Sequence, residues 1–279
     1  MNESETTSGL LTFGGHLDVL RKMFFRIILV VVILGSIIFC FKKETFTLLL
    51  APHNSDFCTF QFIEHLINSF GLDFHFDDYK IPLISTELSA QFMTHITVSC
   101  ILAVLLASPY ILFELFKFIS PALYEREKKY SYLVAGIIYF LFILGLLMSY
   151  FVLFPISFQF LATYQVDDEI VNTITLDSYI STFTTLTFLM GIVFQLPVIA
   201  FVLGKMGVID APLLKQYRSY AFIIIMVIAA IITPPDIFTL VLVTIPIYGL
   251  YEVSILVLKK WAKTPMISDE EDDDEDYLI

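Results

Sequence analysis

The stretch FFRIILVVVILGSIIFCF, residues 24–41, decides the fold class. It is 18 residues long and carries one charged side chain, Arg26, close to its start. At about 1.5 Å of rise per residue, a helix of this length nearly crosses the roughly 30 Å of bilayer hydrocarbon. The stretch therefore predicts a membrane-spanning helix. A cleavable signal peptide is not expected, because Cys40-Phe41-Lys42-Lys43 is not a small-residue cleavage site.

Further apolar segments follow, and together they predict an all-α polytopic membrane protein with six transmembrane helices. The second segment is interrupted by Pro109, and the last two are short: 12 apolar residues precede Thr233-Pro-Pro-Asp236 and 15 precede Glu252. We interpret the last two as short spans joined by a Pro-Pro turn, with a re-entrant pair as the alternative. The predicted spans are about 24–41, 92–115, 132–154, 180–203, 220–233 and 237–258.

The composition of the 279-residue chain agrees with this class. Hydrophobic residues make up 57% of it, only 16% are charged, and the mean hydropathy is +0.81. A soluble domain carries about a quarter charged residues. We expect residues 1–262 to form one membrane domain. The connection 42–91 is long enough for amphipathic helices that cap the bundle on the outer side.

The net charge of −12 is concentrated in the tail, where residues 269–276 read DEEDDDED. Residues 263–279 are therefore predicted to be disordered, and a solvated terminus is favoured over a docking motif. No basic face indicates a nucleic-acid partner. The three cysteines have no metal-ligand spacing, so neither a metal site nor a disulfide framework is expected.

The lysine and arginine positions predict the orientation. Thirteen of the 16 basic residues fall on one side of the predicted spans, and only Lys42, Lys43 and Lys80 fall on the other. Because cytoplasmic loops carry the excess of basic residues, both termini are predicted to be cytoplasmic in a cell inner membrane.

Polar residues concentrate in three places. The loop after the second span, KFISPALYEREKK (117–129), is rich in charge, and a plain charged connector is its alternative interpretation. Gln195 lies within the fourth span beside Pro197, where it either satisfies a carbonyl freed by a kink or binds a partner helix. Asp236 is placed to cap the sixth span. No motif typical of catalysis or nucleotide binding is present, so neither an enzyme nor a cofactor is predicted.

The ordered motifs resemble the TatC family of the twin-arginine protein translocase. The family pattern H-L-x-E-L-R is similar to His16-Leu-Asp-Val-Leu-Arg21, and F-I-x-P-A-L-Y-x-x-E is similar to residues 118–127. Further matches are the proline of Leu50-Ala-Pro52, F-[EQ]-x-P at 194–197, T-P-P-D at 233–236 and P-x-x-x-L-[YF]-E at 246–252.

The resemblance implies a receptor for twin-arginine signal peptides that exports folded proteins with the proton-motive force. It also implies TatA- and TatB-like single-span partners and a homo-oligomer within a larger complex. The implied signal-peptide residues are Glu127, which is the leading arginine ligand, Phe118, Pro121, Tyr124, Arg21, Asp18 and Glu125. The implied partner-binding residues are Gln195 and Thr233, and the structural ones are Pro52, Pro197, Pro234, Pro235 and Asp236.

Two positions depart from the family pattern. Val19 stands where a glutamate is usual, and we hypothesise that Asp18 or Glu125 replaces that carboxylate. Leu240 stands where several members carry a polar residue.

The main alternative function is an ion-coupled secondary transporter of a small solute, although the chain shows no matching halves. A structural membrane scaffold is also compatible with the apolar segments, and it would need no arginine-binding carboxylates. An intramembrane enzyme is disfavoured, because the sequence lacks the motifs that carry catalytic groups.

Overall fold

A computed structural model describes residues 13–54, 56–71, 82–119, 131–167, 172–205 and 207–261, and these residues are mainly helical. The chain divides into two compact units, residues 1–45 with 95–139 and residues 46–94 with 140–279. The helices are α1 Phe13–Cys40, α2 Lys42–Leu50, α3 Cys58–Ser69, α4 Ala90–Ile119, α5 Ser131–Met148, α6 Phe154–Thr163, α7 Leu176–Val193, α8 Leu196–Lys205, α9 Ala211–Gln216, α10 Arg218–Ile232 and α11 Ile237–Trp261.

Among the described residues, five helical stretches are long and apolar enough to cross a membrane. They are Leu17–Cys40, Ala90–Leu115, Ala135–Thr163, Leu176–Lys205 and Ile237–Lys260. The apolar helix α10, with 15 residues, is shorter. The prediction of a short sixth span is wrong, because α11 continues through Glu252 for 25 residues. The Glu252 carboxylate accepts a hydrogen bond of 2.6 Å from Arg218, which satisfies its charge without ending the helix.

In the first unit, α1 and α4 pack antiparallel to each other. Arg26 contacts Glu114 towards one end of the pair, and Phe39 stacks on His95 towards the other. Between them, a Cβ added to Gly35 would lie 3.5 Å from the Ala103 Cβ, so the helices approach closely there. The apolar run of the second span contains Pro109, and α4 runs unbroken through this proline. Proline removes one backbone donor, and the other hydrogen bonds of a membrane helix are enough to continue it.

In the second unit, the third apolar segment is longer than the predicted 132–154. A π-helical turn, Ser149–Leu153, joins α5 to α6, and α6 begins with Pro155 in its first turn. Because Pro155 has no N–H, the Phe151 carbonyl four residues earlier lacks its α-helical donor. The Thr59 hydroxyl of α3 donates a hydrogen bond to this carbonyl instead. The helix therefore passes Pro155 with the Phe151 carbonyl still hydrogen-bonded.

The connection between the first two spans packs on the same region through further hydrogen bonds. The Tyr150 hydroxyl donates to the Leu48 carbonyl at 2.7 Å, and the Tyr179 hydroxyl donates to the Leu49 carbonyl at 3.0 Å. Helices were predicted in this connection, and α2 and α3 lie there. The role of these helices as caps of the bundle stays a prediction.

Replacing Thr59 with Val is expected to lower the free energy of unfolding by about 1 kcal/mol, because the Phe151 carbonyl loses the donor that replaces the missing N–H of Pro155. Thermal unfolding of the detergent-solubilised protein measures this loss. Thr185→Val, at an exposed position of α7, is the matched control. Equal midpoints for the two variants would show that the Thr59 hydrogen bond does not support the helix at Pro155.

A two-stranded parallel sheet was not predicted from the sequence. Leu83 pairs with Ile174 and Ile84 pairs with Thr175, each strand being two residues long. The sheet links the segment before α4 to the segment before α7, where the Thr175 hydroxyl caps α7 by accepting from the Ser178 N–H at 3.2 Å. The assignment of residues 1–262 to one membrane domain stays a prediction, and the acidic tail 263–279 lies outside the described residues.

Candidate functional site

The predicted N-terminal site residues lie on the first turns of α1. The Asp18 carboxylate accepts a hydrogen bond of 2.9 Å from Arg21 and forms an ion pair of 2.8 Å with Lys22. All three side chains are substantially exposed, so these pairs contribute little to stability and exchange readily with other charged groups. The His16 side chain lies outside the described residues. This segment therefore presents one carboxylate and two cations at one end of α1.

The loop after α4 holds most of the predicted signal-peptide residues. Phe118 lies in the last turn of α4, but its side chain is outside the described part of the structure. Pro121, Tyr124, Glu125 and Glu127 lie in the segment 120–130, which is also outside it. The chemical roles of these residues stay predictions.

An ion pair that the sequence analysis missed connects the two segments. The Arg26 guanidinium of α1 lies 3.2 Å from the Glu114 carboxylate of α4. The Arg26 side chain is half exposed, whereas the Glu114 side chain is only 7% exposed. The sequence signal was one charge near the same predicted end of each of two consecutive spans. Such a signal does not reveal whether the two charges pair, because pairing depends on the rotation of each helix about its axis.

Antiparallel packing therefore brings the N-terminal segment of α1 and the end of α4 to one end of the first unit. Arg26 follows Arg21 by five residues, and Glu114 precedes the end of α4 at Ile119 by five residues. Each interval corresponds to about 7.5 Å along a helix. Arg21 and the end of α4 at Ile119 thus lie at similar distances along their helices from the ion pair.

The predicted partner-binding residues lie in the second unit. Gln195 occupies the break between α7 and α8, where its carbonyl accepts hydrogen bonds of 3.0 Å from the N–H groups of Val198 and Ile199. The backbone of Gln195 therefore starts α8, while its side chain is half-buried. Thr233 is buried, and its hydroxyl donates to the Ala229 carbonyl at 2.9 Å. Their contacts with partner subunits stay predictions.

The residues predicted to be structural lie at helix ends. Pro52 is buried in a 3-10 turn after α2, and Pro197 is buried in the first turn of α8. Pro234 and Pro235 connect α10 to α11, and the Asp236 carboxylate accepts a hydrogen bond of 2.6 Å from the Thr239 N–H. The predicted cap of the last helix by Asp236 is confirmed. Within the described residues, no cluster of three His, Cys, Asp or Glu side chains is arranged to hold a metal ion.

Helices of this length and apolarity define a multi-pass α-helical membrane protein. The profile of the family described as Sec-independent protein translocase protein (TatC) matches residues 15–246. The chain belongs to the TatC family. This membership does not favour the alternative function of an ion-coupled secondary transporter.

Relatives and solved structures cover most of the chain. The Sec-independent protein translocase protein TatC of Blattabacterium sp. subsp. Periplaneta americana is 34% identical over 251 residues, covering 88% of this chain and 94% of that protein. TatC of Helicobacter pylori strain J99 is 37% identical over 202 residues, covering 71% and 79%. A crystal structure of the twin arginine translocase receptor TatC has a TM-score of 0.69 at 32% identity, covering 88% of this chain and 98% of that one. The crystal structure of this receptor in DDM has a TM-score of 0.70 at 32% identity, covering 87% and 99%.

Proposed function

We propose that this chain is the signal-peptide receptor and core subunit of a twin-arginine translocase. The observation that supports the proposal is the antiparallel pairing of α1 with α4, which brings the α1 segment that carries one family motif and the end of α4, where the other begins, to one end of the first unit. One motif contains Asp18 and Arg21, and the other contains Glu127. A signal peptide with two adjacent arginines needs carboxylates at such a site, because guanidinium–carboxylate bonds are bidentate and charge-assisted.

The proposal assigns a role to each part of the site. Glu127 binds a signal-peptide arginine, while Phe118, Pro121 and Tyr124 form the apolar wall for the hydrophobic part of the peptide. A glutamate is usual in the family at the position of Val19. A second carboxylate, Asp18 or Glu125, takes its place in this chain. Gln195 and Thr233 contact TatA- and TatB-like single-span partners. The exported proteins are folded, and the proton-motive force supplies the energy.

The proposed topology places six spans in the cell inner membrane with both termini in the cytoplasm. The sixth span requires α10, whose 15 residues reach about 22 Å. A helix that short spans only where the bilayer is thinned or where longer neighbours shelter it. The Pro234-Pro235 turn that joins α10 to α11 supports a hairpin of two spans. Lipid surrounds the bundle, and further copies of the chain join it in a larger complex.

Photocrosslinking from the 120–130 loop tests the receptor function. A photoreactive amino acid replaces Ala122, so that the Glu127 carboxylate is retained, and inner-membrane vesicles receive a precursor with its arginine pair intact or changed to Lys-Lys. We expect the crosslink to fall at least tenfold with Lys-Lys, because an ammonium group cannot make the bidentate bond.

The matched control places the same probe at Leu88, which is fully exposed in the connection before α4 and on the opposite side of the membrane in the proposed topology. This probe should not crosslink the precursor. An inserted protein that gives no Ala122 crosslink, or one indifferent to the Lys-Lys change, would refute the receptor function.

A further inference from the structure

The ion pair between Arg26 and Glu114 needs an explanation beyond stability. A carboxylate placed among apolar helices is costly unless a cation balances it. Glu114 has such a cation in Arg26, 3.2 Å away. Well-packed apolar residues often stabilise a protein as well as a buried ion pair does. The better-attested use of a buried polar contact is to select one register between two helices.

The surroundings of the pair make register important. Further along the pair, Gly35 approaches Ala103 and the Phe39 ring stacks on His95. Neither contact fixes the register as a charged hydrogen bond does. Among the described residues, the Arg26–Glu114 pair is the charged contact between the two helices, and it lies towards the end of α4 at Ile119.

We propose that Arg26 and Glu114 are positioning residues of the signal-peptide site, which fix the register between the α1 segment bearing Asp18 and Arg21 and the end of α4 at Ile119, from which the chain continues to Glu127. The inference rests on the proposed receptor function and adds two residues to it. With the register fixed, carboxylates from both segments reach one signal peptide at the same time. If the register is lost, the signal peptide contacts only one of the two segments at a time, and its affinity for the protein falls.

Glu114 is not itself assigned as a ligand of the signal peptide. Its side chain is 7% exposed, and Arg26 already binds its carboxylate. An arginine of the peptide would have to displace Arg26 and separate α1 from α4. If that exchange occurred, removing the charge of Arg26 would strengthen peptide binding, whereas loss of a positioning contact weakens it.

The experiment measures the precursor concentration that gives half-maximal crosslinking, normalised to inserted protein, with probes at Ala122 and at Leu17, which is exposed on α1. The variants are Arg26→Gln, Glu114→Gln and the charge swap Arg26→Glu with Glu114→Arg. We expect each single variant to raise the half-saturating concentration at least fivefold at both probes. The swap should return it to within twofold of the unmodified protein. Lys215→Gln, an exposed charge change on α9, should leave it unchanged.

The outcomes separate this inference from the proposed function. Loss of arginine-pair dependence in the unmodified protein would overturn both. Three other results would overturn only the positioning role: single variants that unfold at lower temperature but keep their half-saturating concentration, a tighter crosslink in Arg26→Gln, or a swap that fails to restore binding.

Discussion

Replacing Glu127 with Gln is expected to raise the half-saturating precursor concentration about a hundredfold and to stop export at ordinary precursor levels. A bidentate arginine–carboxylate contact has two charge-assisted hydrogen bonds, each worth about 1.5–3 kcal/mol. Their loss costs about 3 kcal/mol or more, and every 1.4 kcal/mol is roughly a tenfold change in affinity. Photocrosslinking from Ala122 measures the affinity, and accumulation of the mature passenger outside the membrane measures export.

A double-mutant cycle identifies the arginine that Glu127 binds. Precursors in which either arginine of the pair is changed to Gln are combined with the Glu127→Gln protein, and the partner arginine is the one whose loss adds no further penalty. Glu44→Gln, an exposed acid of α2, is the matched control and should bind normally. If the loss of either arginine added its full penalty to that of Glu127→Gln, a direct contact between Glu127 and the arginine pair would be contradicted.

The same assay decides which carboxylate takes the place of the glutamate missing at Val19. Arg21 and Lys22 already bind the Asp18 carboxylate within 3 Å. A peptide arginine must therefore compete with two local cations for Asp18. We accordingly expect Glu125→Gln to weaken binding more than Asp18→Asn does, and Asp18→Lys together with Glu125→Lys should abolish it. Crosslinking that survives both charge reversals would contradict the replacement hypothesis.

The sequence predicted the helices well because their signal is local. Long apolar segments placed the first four spans within a few residues of the observed helices at most ends, and the Thr233–Asp236 turn predicted the cap of α11. The third span was ended too early, because residue 154 precedes a proline. Where it continues, the Phe151 carbonyl accepts from the Thr59 hydroxyl, which lies 92 residues earlier in the chain. No local pattern contains that information.

The candidate site was predicted as a set of motifs and not as an arrangement. The motifs containing Arg21 and Glu127 are both visible in the sequence, but the contact that relates their helices, Arg26 with Glu114, is not. Arg26 was noted near the start of the first apolar segment and was not related to Glu114. The pairing of Leu83 with Ile174 was missed for the same reason, since both partners are short and lie far apart in the chain.

Among the helical glycines of the second unit, Gly145 is the one whose substitution is expected to lower the free energy of unfolding most. Gly145 lies on α5 against the end of α7, where an added Cβ would be 2.7 Å from the Met190 carbonyl oxygen and 2.9 Å from the Phe194 ring. A backbone carbonyl cannot move aside as a side-chain tip does, so the helices must separate. We expect Gly145→Ala to lower the free energy of unfolding by about 2–3 kcal/mol and Gly145→Leu to prevent accumulation of folded protein.

Gly136→Ala on the same helix is the matched control, because a Cβ there meets nothing within 4 Å. Alanine is a better helix former than glycine by about 1 kcal/mol, so Gly136→Ala should be neutral or stabilising. Thermal unfolding of the detergent-solubilised proteins compares the two variants, and equal midpoints would contradict close packing at Gly145. Because Phe194 directly precedes Gln195, separation of the helices also displaces the break that starts α8. Gly145→Ala should therefore weaken crosslinking between Gln195 and a single-span partner, although Gly145 contacts no partner in the proposed function.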